Sequence, residues 1–295
     1  MGDSVPVTRN LRQWSGVFIR GMAMGVAEIV PGVSGGTIAF VTGIYLELVG
    51  SLASFRGSSL RILLTAGPRQ FWRVHNLSFL AVLGVGMVLS VLLFARLISV
   101  WLELVPPLVW GFFCGLIIAS VLHIGRRRSL RLLATYGVLG LLIGLFMLLL
   151  DPLGRQDSLW VFFLGGVIAV CAWLLPAVSG SFLLVSLGLY APVLEAINEL
   201  YFPVLITLGA GCVVGLLGFS RGLYWLMMRY GEALLALLTG FIAGSLPRLW
   251  PWTVDGVFLS PSAYELVTTQ DAFLPWVGVS ALAGAAALWL LSRFE

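Results

Sequence analysis

An apolar segment broken by a proline–serine–glycine bend occurs twice in this sequence. GMAMGVAEIVPGVSGGTIAFVTGIYLELVGSL begins at Gly21, and GVIAVCAWLLPAVSGSFLLVSLGLYAPVLEAI begins at Gly166, 145 residues later. Gly21/Gly166, Ala27/Ala172, Pro31/Pro176, Val33/Val178, Ser34/Ser179, Gly35/Gly180, Gly43/Gly188 and Tyr45/Tyr190 coincide without a gap. Apolar composition alone does not generate a shared Pro-x-Val-Ser-Gly followed by Gly-x-Tyr, so the pair is an internal repeat. Weaker echoes follow: LGVGMVLSVLLFAR ending at Arg96 resembles LGAGCVVGLLGFSR ending at Arg221, and GFFCG from Gly111 resembles GFIAG from Gly240.

Each copy reads as an interrupted apolar segment followed by three apolar spans. In the first copy these fall at about 16–52, 77–102, 106–124 and 132–150; in the second, at about 158–198, 203–228, 232–250 and 274–292. The uninterrupted spans approach the roughly 20 residues needed to cross a bilayer core. With 60% hydrophobic and 10% charged residues, the chain is far below the roughly 25% charge of soluble domains, so lipid is the solvent for most of it. No short apolar core with a small-residue cleavage site follows Met1, and no removable leader is expected.

The interrupted segments set the topology. Arms of 16–30 and 37–52 would be about 22–24 Å long at roughly 1.5 Å per residue, short of a bilayer core of roughly 30 Å. They suit a re-entrant hairpin that turns back between Pro31 and Gly36. A hairpin adds an even number of crossings, so each copy crosses three times and the second copy is upside down. Under this topology Arg9, Arg12, Arg56, Arg61, Arg69, Arg73, Arg126, Arg127, Arg128, Arg131, Arg229 and Arg293 share one side, against Arg155 and Arg248. If each interrupted segment crossed once, the same arginines would split nine to five. The positive-inside rule selects the first arrangement, with both termini cytoplasmic. Glu103, Asp151, Asp157, Glu195, Glu199, Asp255, Glu265 and Asp271 then face outward. The expected fold is an all-α polytopic membrane protein of two inverted-topology repeats, 1–150 and 151–295. Each repeat holds one re-entrant helical hairpin and three transmembrane helices.

Irregular backbone at membrane depth persists where protein buries it or where it lines a polar cavity. In each motif proline stops the first arm, glycine permits the turn, and Ser34 or Ser179 can cap the second arm. The exposed amides of such a bend attract anions. Pro31, Gly32, Ser34, Gly35, Gly36 and Thr37, with Ser179, Gly180 and Ser181, are therefore the candidate substrate site, two bends meeting near the midplane as in inverted-repeat transporters. The alternative is that these small residues only allow close helix packing.

Three arginines lie within the apolar segments. Arg20 is in the first arm, and Arg96 and Arg221 are repeat-equivalent; each can clamp a phosphate or snorkel to the interface. Glu28, three residues before Pro31, is a candidate for binding or proton coupling, and its counterpart is Trp173. Glu47 and Glu232 lie near span ends, where interfacial placement suffices.

No catalytic residue, metal site or cofactor is expected. His75 and His123 lie apart in or beside loops, and Cys114, Cys171 and Cys212 show no paired spacing. All 17 basic residues are arginine, so a phosphate-cradling loop with its lysine is excluded. These arginines lie in short loops between spans, which fits topology and lipid phosphate rather than nucleic acid.

Ala27-Glu28-Ile-Val-Pro-Gly-Val-Ser-Gly-Gly-Thr37, Gly43-Ile-Tyr45, Pro176-Ala-Val-Ser-Gly-Ser181 and Gly188-Leu-Tyr190 closely resemble the bacterial polyprenyl-phosphate transporter family. The resemblance implies a flippase of the inner membrane. It would return undecaprenyl phosphate, the carrier lipid of peptidoglycan synthesis, from the outer to the cytoplasmic leaflet. One departure is Ala177, where the first copy has Gly32. Moving a negative headgroup inward against an inside-negative potential costs roughly 2.3 kcal/mol per charge per 100 mV, so a proton carried by Glu28 is the expected coupling ion. Two alternatives stand beside this reading. A membrane phosphatase acting on undecaprenyl pyrophosphate would carry Pro-Gly-x-Ser-Arg, but Gly35 occupies the place of that arginine. A small-anion channel or carrier is the other.

Overall fold

The computed structural model describes residues 9–30, 34–126, 128–147, 158–176, 179–254 and 256–292. Arg127, Arg155, Arg293, Asp151, Asp157, Ala177 and Asp255 of the sequence reading lie outside them. Within the described residues the chain is helical apart from one short β-hairpin. Four helices are long and apolar enough to cross a membrane: Leu77–Leu104, Pro106–Gly125, Phe202–Leu249 and Leu274–Leu291. The chain is a polytopic membrane protein on this ground.

Contacts divide the chain into two compact units, each drawing on both halves of the sequence. The first comprises Met1–Leu92 and Leu150–Gly231. Here α1 (Leu11–Ile29) opens with a capping box formed by Asn10 and Gln13 and stops at Val30, just before Pro31. Next come α2 (Gly35–Val41) and α3 (Tyr45–Ala53), which meet at a bend of 118°. The continuous second arm expected over 37–52 is therefore two short helices. Gly43 causes this: at φ 76° it occupies the left-handed region that glycine enters freely.

After α4 (Ser59–Val74) and the first part of α5 (Leu77–Leu104), the pattern returns as α9 (Leu159–Leu174), α10 (Gly180–Ser186) and α11 (Tyr190–Asn198). α10 and α11 have the boundaries of α2 and α3 shifted by 145 residues, and Gly188 repeats Gly43 at φ 69°.

The packing recurs as well. A Cβ on Gly21 would strike the carbonyl of Leu83, and one on Gly86 that of Phe18. In the second copy Gly166 stands against Leu208 and Gly211 against Phe163 in α12 (Phe202–Ser245). The offset remains 145 for α1 and α9 but is 125 for α5 and α12. The 16-residue α4 sits only in the first copy, between α3 and α5. Its arginines read in sequence as loop residues, but it is an amphipathic helix bent at Gly67, with Leu60, Leu64 and Trp72 exposed beside Arg61, Arg69 and Arg73.

The second unit comprises Leu93–Leu149 and Glu232–Glu295. α6 (Pro106–Gly125) crosses α14 (Leu274–Ser292) closely enough that a Cβ on Gly115 would overlap the Ala281 carbonyl, and one on Gly284 that of Phe112. The end of α12 makes the matching crossing. Gly240 meets the Gly137 carbonyl in a π-helical turn (Leu133–Gly137) that joins α7 (Leu130–Leu132) to α8 (Val138–Phe146), and Gly140 meets that of Leu237. Close backbone approach is what holds helices together where lipid removes the hydrophobic driving force.

The expected spans 203–228 and 232–250 are joined in α12, which kinks at Tyr230 (φ −130°, ψ 32°). Val105, 125 residues earlier, breaks the chain between α5 and α6 with similar angles (φ −140°, ψ 51°). A 3-10 turn at Leu246–Leu249 ends this stretch. Beyond it, β1 (Thr253–Val254) pairs with β2 (Val257–Phe258), and α13 (Pro261–Thr268) packs Tyr264 against Trp252 and Val277.

Candidate functional site

The first bend is closed by its own acceptors. Ser34 is fully buried and caps α2, its Oγ accepting from the Gly36 amide at 3.1 Å. Glu28, on the last turn of α1, accepts from the Gly35 amide at 2.7 Å through Oε1. The Thr37 amide bonds the Ser34 carbonyl at 2.9 Å. A carboxylate thus already occupies one amide that the sequence offered to an external anion. Pro31 and Gly32 lie outside the described residues.

The second motif reaches this bend through the end of α9. The Trp173 side chain donates a hydrogen bond to Glu28. The Tyr45 hydroxyl donates to the Leu174 carbonyl at 2.7 Å. Gly36 lies so near that a Cβ there would be 2.7 Å from the Trp173 carbonyl oxygen. Glycine is required at this position by that approach.

The second bend is arranged differently. Ser179 is buried, yet it gives α10 no side-chain cap; its hydroxyl pairs with that of Ser181 at 2.7 Å. Trp173 stands where Glu28 would, and among the described residues no carboxylate partners the Gly180 amide as Glu28 partners that of Gly35. Ser181 is exposed, whereas every residue of α2 is buried.

The structure therefore brings Glu28, Ser34, Gly35 and Gly36 together with Trp173 and Leu174. Arg20 is buried on α1, eight residues before Glu28. Arg221 donates from Nε and Nη2 to the Phe55 carbonyl, just past the end of α3. Arg96 is exposed in the second unit.

Along α3 and the turn after α4 lies a polar cluster that Glu47 and His75, taken singly in the sequence, do not reveal. Arg9 forms an ion pair with Glu47. Asn76 Nδ2 donates to Glu47 Oε1 at 2.8 Å and to Ser51 Oγ at 3.2 Å. Ser54 donates to the Ser51 carbonyl at 2.6 Å, so His75 Nδ1, at 2.7 Å, carries the proton toward Ser54. The His75 ring is fully buried, stacked 4.3 Å from Phe55, with Phe71 edge-on. Burial holds its pKa below the usual histidine range. Ser51 and Ser54 have Ala196 and Glu199 as counterparts. The second hairpin instead rests on the apolar cluster of Phe162, Leu189, Val193, Ala196 and Val204. Among the described residues no group of histidine, cysteine and acidic side chains could hold a metal ion.

Comparison with known proteins agrees with a transporter. A polyprenyl-phosphate transporter of Vibrio cholerae serotype O1 is 38% identical over 278 residues, covering 93% of this chain and 90% of that protein. A polyprenyl-phosphate transporter of Staphylococcus aureus is 29% identical over 253 residues, covering 79% of this chain and 85% of that one. No solved structure matches. These are names of transporters and not of enzymes. The profile of the family described as undecaprenyl phosphate translocase-like matches residues 24–263, and the chain belongs to that family.

Proposed function

We propose that this protein carries undecaprenyl phosphate across the bacterial inner membrane, from the outer to the cytoplasmic leaflet, together with a proton. The observation that carries the reading is the Glu28 carboxylate, held between the Gly35 amide of one motif and the Trp173 side chain of the other. Groups that hold a carboxylate oxygen offer the same donors to a phosphate oxygen. The tail remains in lipid, and only the headgroup needs a polar route.

In this mechanism Glu28 is both placeholder and proton carrier. Ionised, it occupies the first bend; protonated, it accepts less strongly and gives up the Gly35 amide to the phosphate, which then sits beside Ser34, Gly36 and Thr37. The second bend, with Ser179, Gly180 and Ser181, supplies amides without an internal carboxylate. Pro31 and Gly32 complete the first turn. The proton offsets the roughly 2.3 kcal/mol per 100 mV that an unaccompanied charge would cost. Arg20 neutralises the bound headgroup from α1, and Arg96 and Arg221 receive it at the two membrane faces.

The recurring boundaries and recurring glycine crossings support two copies related by a pseudo-two-fold axis. Three net crossings per copy make the repeat inverted and the hairpins re-entrant. The arginine distribution supports cytoplasmic termini.

Equilibrium binding in nanodiscs tests the site. Undecaprenyl phosphate is expected to bind and undecaprenol, which lacks the phosphate, to bind much more weakly. Binding should strengthen as pH falls, and Glu28→Gln should remove that dependence. Equal binding of the two lipids would refute the headgroup site.

A further inference from the structure

Two repeat-equivalent tyrosines are in opposite situations. Tyr45 begins α3, is 3% exposed, and donates its hydroxyl to Leu174, the last residue of α9. Tyr190 begins α11 at the same place in the second hairpin, is 40% exposed, and makes no hydrogen bond among the described residues. Carbonyls in the last turn of a helix lack an intrahelical amide and seek another donor. Leu174 presents such a carbonyl to Tyr45. Its counterpart Ile29, the last residue of α1, is the matching acceptor for Tyr190.

The difference extends along both hairpins. α2 is buried throughout, and Gly36 lies against the Trp173 and Leu175 carbonyls at the end of α9. Ser181, the counterpart of Gly36, is exposed. One hairpin is docked on the other copy's first arm; its equivalent is not.

A pseudo-two-fold molecule whose unequal halves exchange roles reaches a second conformation at nearly the same contacts. We propose that Tyr45 and Tyr190 are alternating latches of transport: in the exchanged conformation Tyr190 Oη donates to the Ile29 carbonyl, α10 and α11 dock on the end of α1, and Tyr45 is released. This rests on the inverted-repeat transport reading above. Neither tyrosine touches the headgroup; they are positioning residues that decide which hairpin is seated. The sequence also biases the pair. Gly36 approaches Trp173 closely because it has no Cβ, whereas Ser181 would bring its Cβ against the Glu28 carbonyl. The exchanged state is the looser one, and the conformation seen is the favoured one.

Cysteine cross-linking of the full chain in nanodiscs tests this. In a background with Cys114, Cys171 and Cys212 replaced by alanine, Val30→Cys and Ser181→Cys form the counterpart of the observed Gly36–Leu175 approach, and their disulfide forms only in the exchanged state. Its rate of formation reads the population of that state. Tyr45→Phe is expected to raise the rate about three- to tenfold and Tyr190→Phe to lower it by a similar factor, the range for one hydrogen bond. Tyrosines with a merely structural role would leave the rate unchanged. Absence of the disulfide, or a rate insensitive to Tyr190→Phe, overturns the proposal, and Tyr190→Phe decides alone if Tyr45→Phe does not fold. No lipid substrate enters the measurement. Latch behaviour in a protein that does not move undecaprenyl phosphate would therefore remove the substrate reading and leave the latch.

Discussion

Glu28 accepts a hydrogen bond from Trp173, the residue that holds its own position in the other copy of the motif. In the two-fold arrangement proposed above, equivalent positions touch only beside the axis, so the acid and the indole would mark where the two copies meet. The difference between them makes the pair work: a carboxylate accepts and an indole only donates. Two glutamates there would repel, and two tryptophans would leave both N–H groups without an acceptor.

Trp173→Phe keeps an aromatic ring and removes the donor. Unfolding in detergent is expected to show a loss of about 1.5–3 kcal/mol, as for a bond to a charged acceptor. Combined with Glu28→Gln, the losses should be less than additive. Full additivity would mean that the two side chains do not share a bond.

The two serines should separate stability from transport. Ser34→Ala removes a helix cap, which costs about 1 kcal/mol, whereas Ser179 caps nothing and its replacement should leave the melting temperature nearly unchanged. If Ser179 serves the headgroup, Ser179→Ala nonetheless slows lipid flux severalfold. Flux unchanged in Ser179→Ala would remove that serine from the site.

Four glycines at the crossings of the second unit should be intolerant. Alanine at Gly115, Gly140, Gly240 or Gly284 places a methyl on a backbone carbonyl, and overpacking of this kind costs about 1–3 kcal/mol. Gly278 lies on α14 with open space around it, so Gly278→Ala should be neutral or slightly stabilising. Thermal unfolding of the five variants provides the comparison.

His75 predicts a pH dependence. Its folded pKa lies below the unfolded value, so the unfolded chain binds a proton that the folded chain resists. Stability is then fully present above about pH 6.5 and falls as acidification passes through that value toward the folded pKa. His75→Gln should flatten this part of the profile. An unchanged slope would place the titration elsewhere.

The long spans were legible in the sequence because lipid imposes length and apolarity on them. α5 and α6 lie where hydropathy placed them, whereas the turns at Gly43 and Gly188 break second arms that hydropathy alone reads as continuous. What escaped is what hydropathy does not encode. α4 mixes arginine with leucine and reads as a loop between spans. The kink at Tyr230 falls between the two spans that hydropathy separates, but with no proline or glycine at the residue itself nothing in the sequence shows that the helix runs on through it. In sequence Trp173 shows only as the residue that breaks the symmetry of Glu28; that it is the partner of Glu28 requires two sequence-distant helix ends to meet. The amides of the first bend looked open from sequence because nothing in one dimension shows Glu28 folding back onto Gly35.

Leaflet-resolved flux is the most direct test of the whole account. Labelled undecaprenyl phosphate is placed in one leaflet of proteoliposomes containing the full chain, and its arrival in the other is followed with and without a pH gradient. The account predicts protein-dependent flux that the gradient accelerates in wild type, with Glu28→Gln losing the acceleration. Flux no faster than in protein-free vesicles, or wild-type flux in Glu28→Gln at every pH, would contradict it.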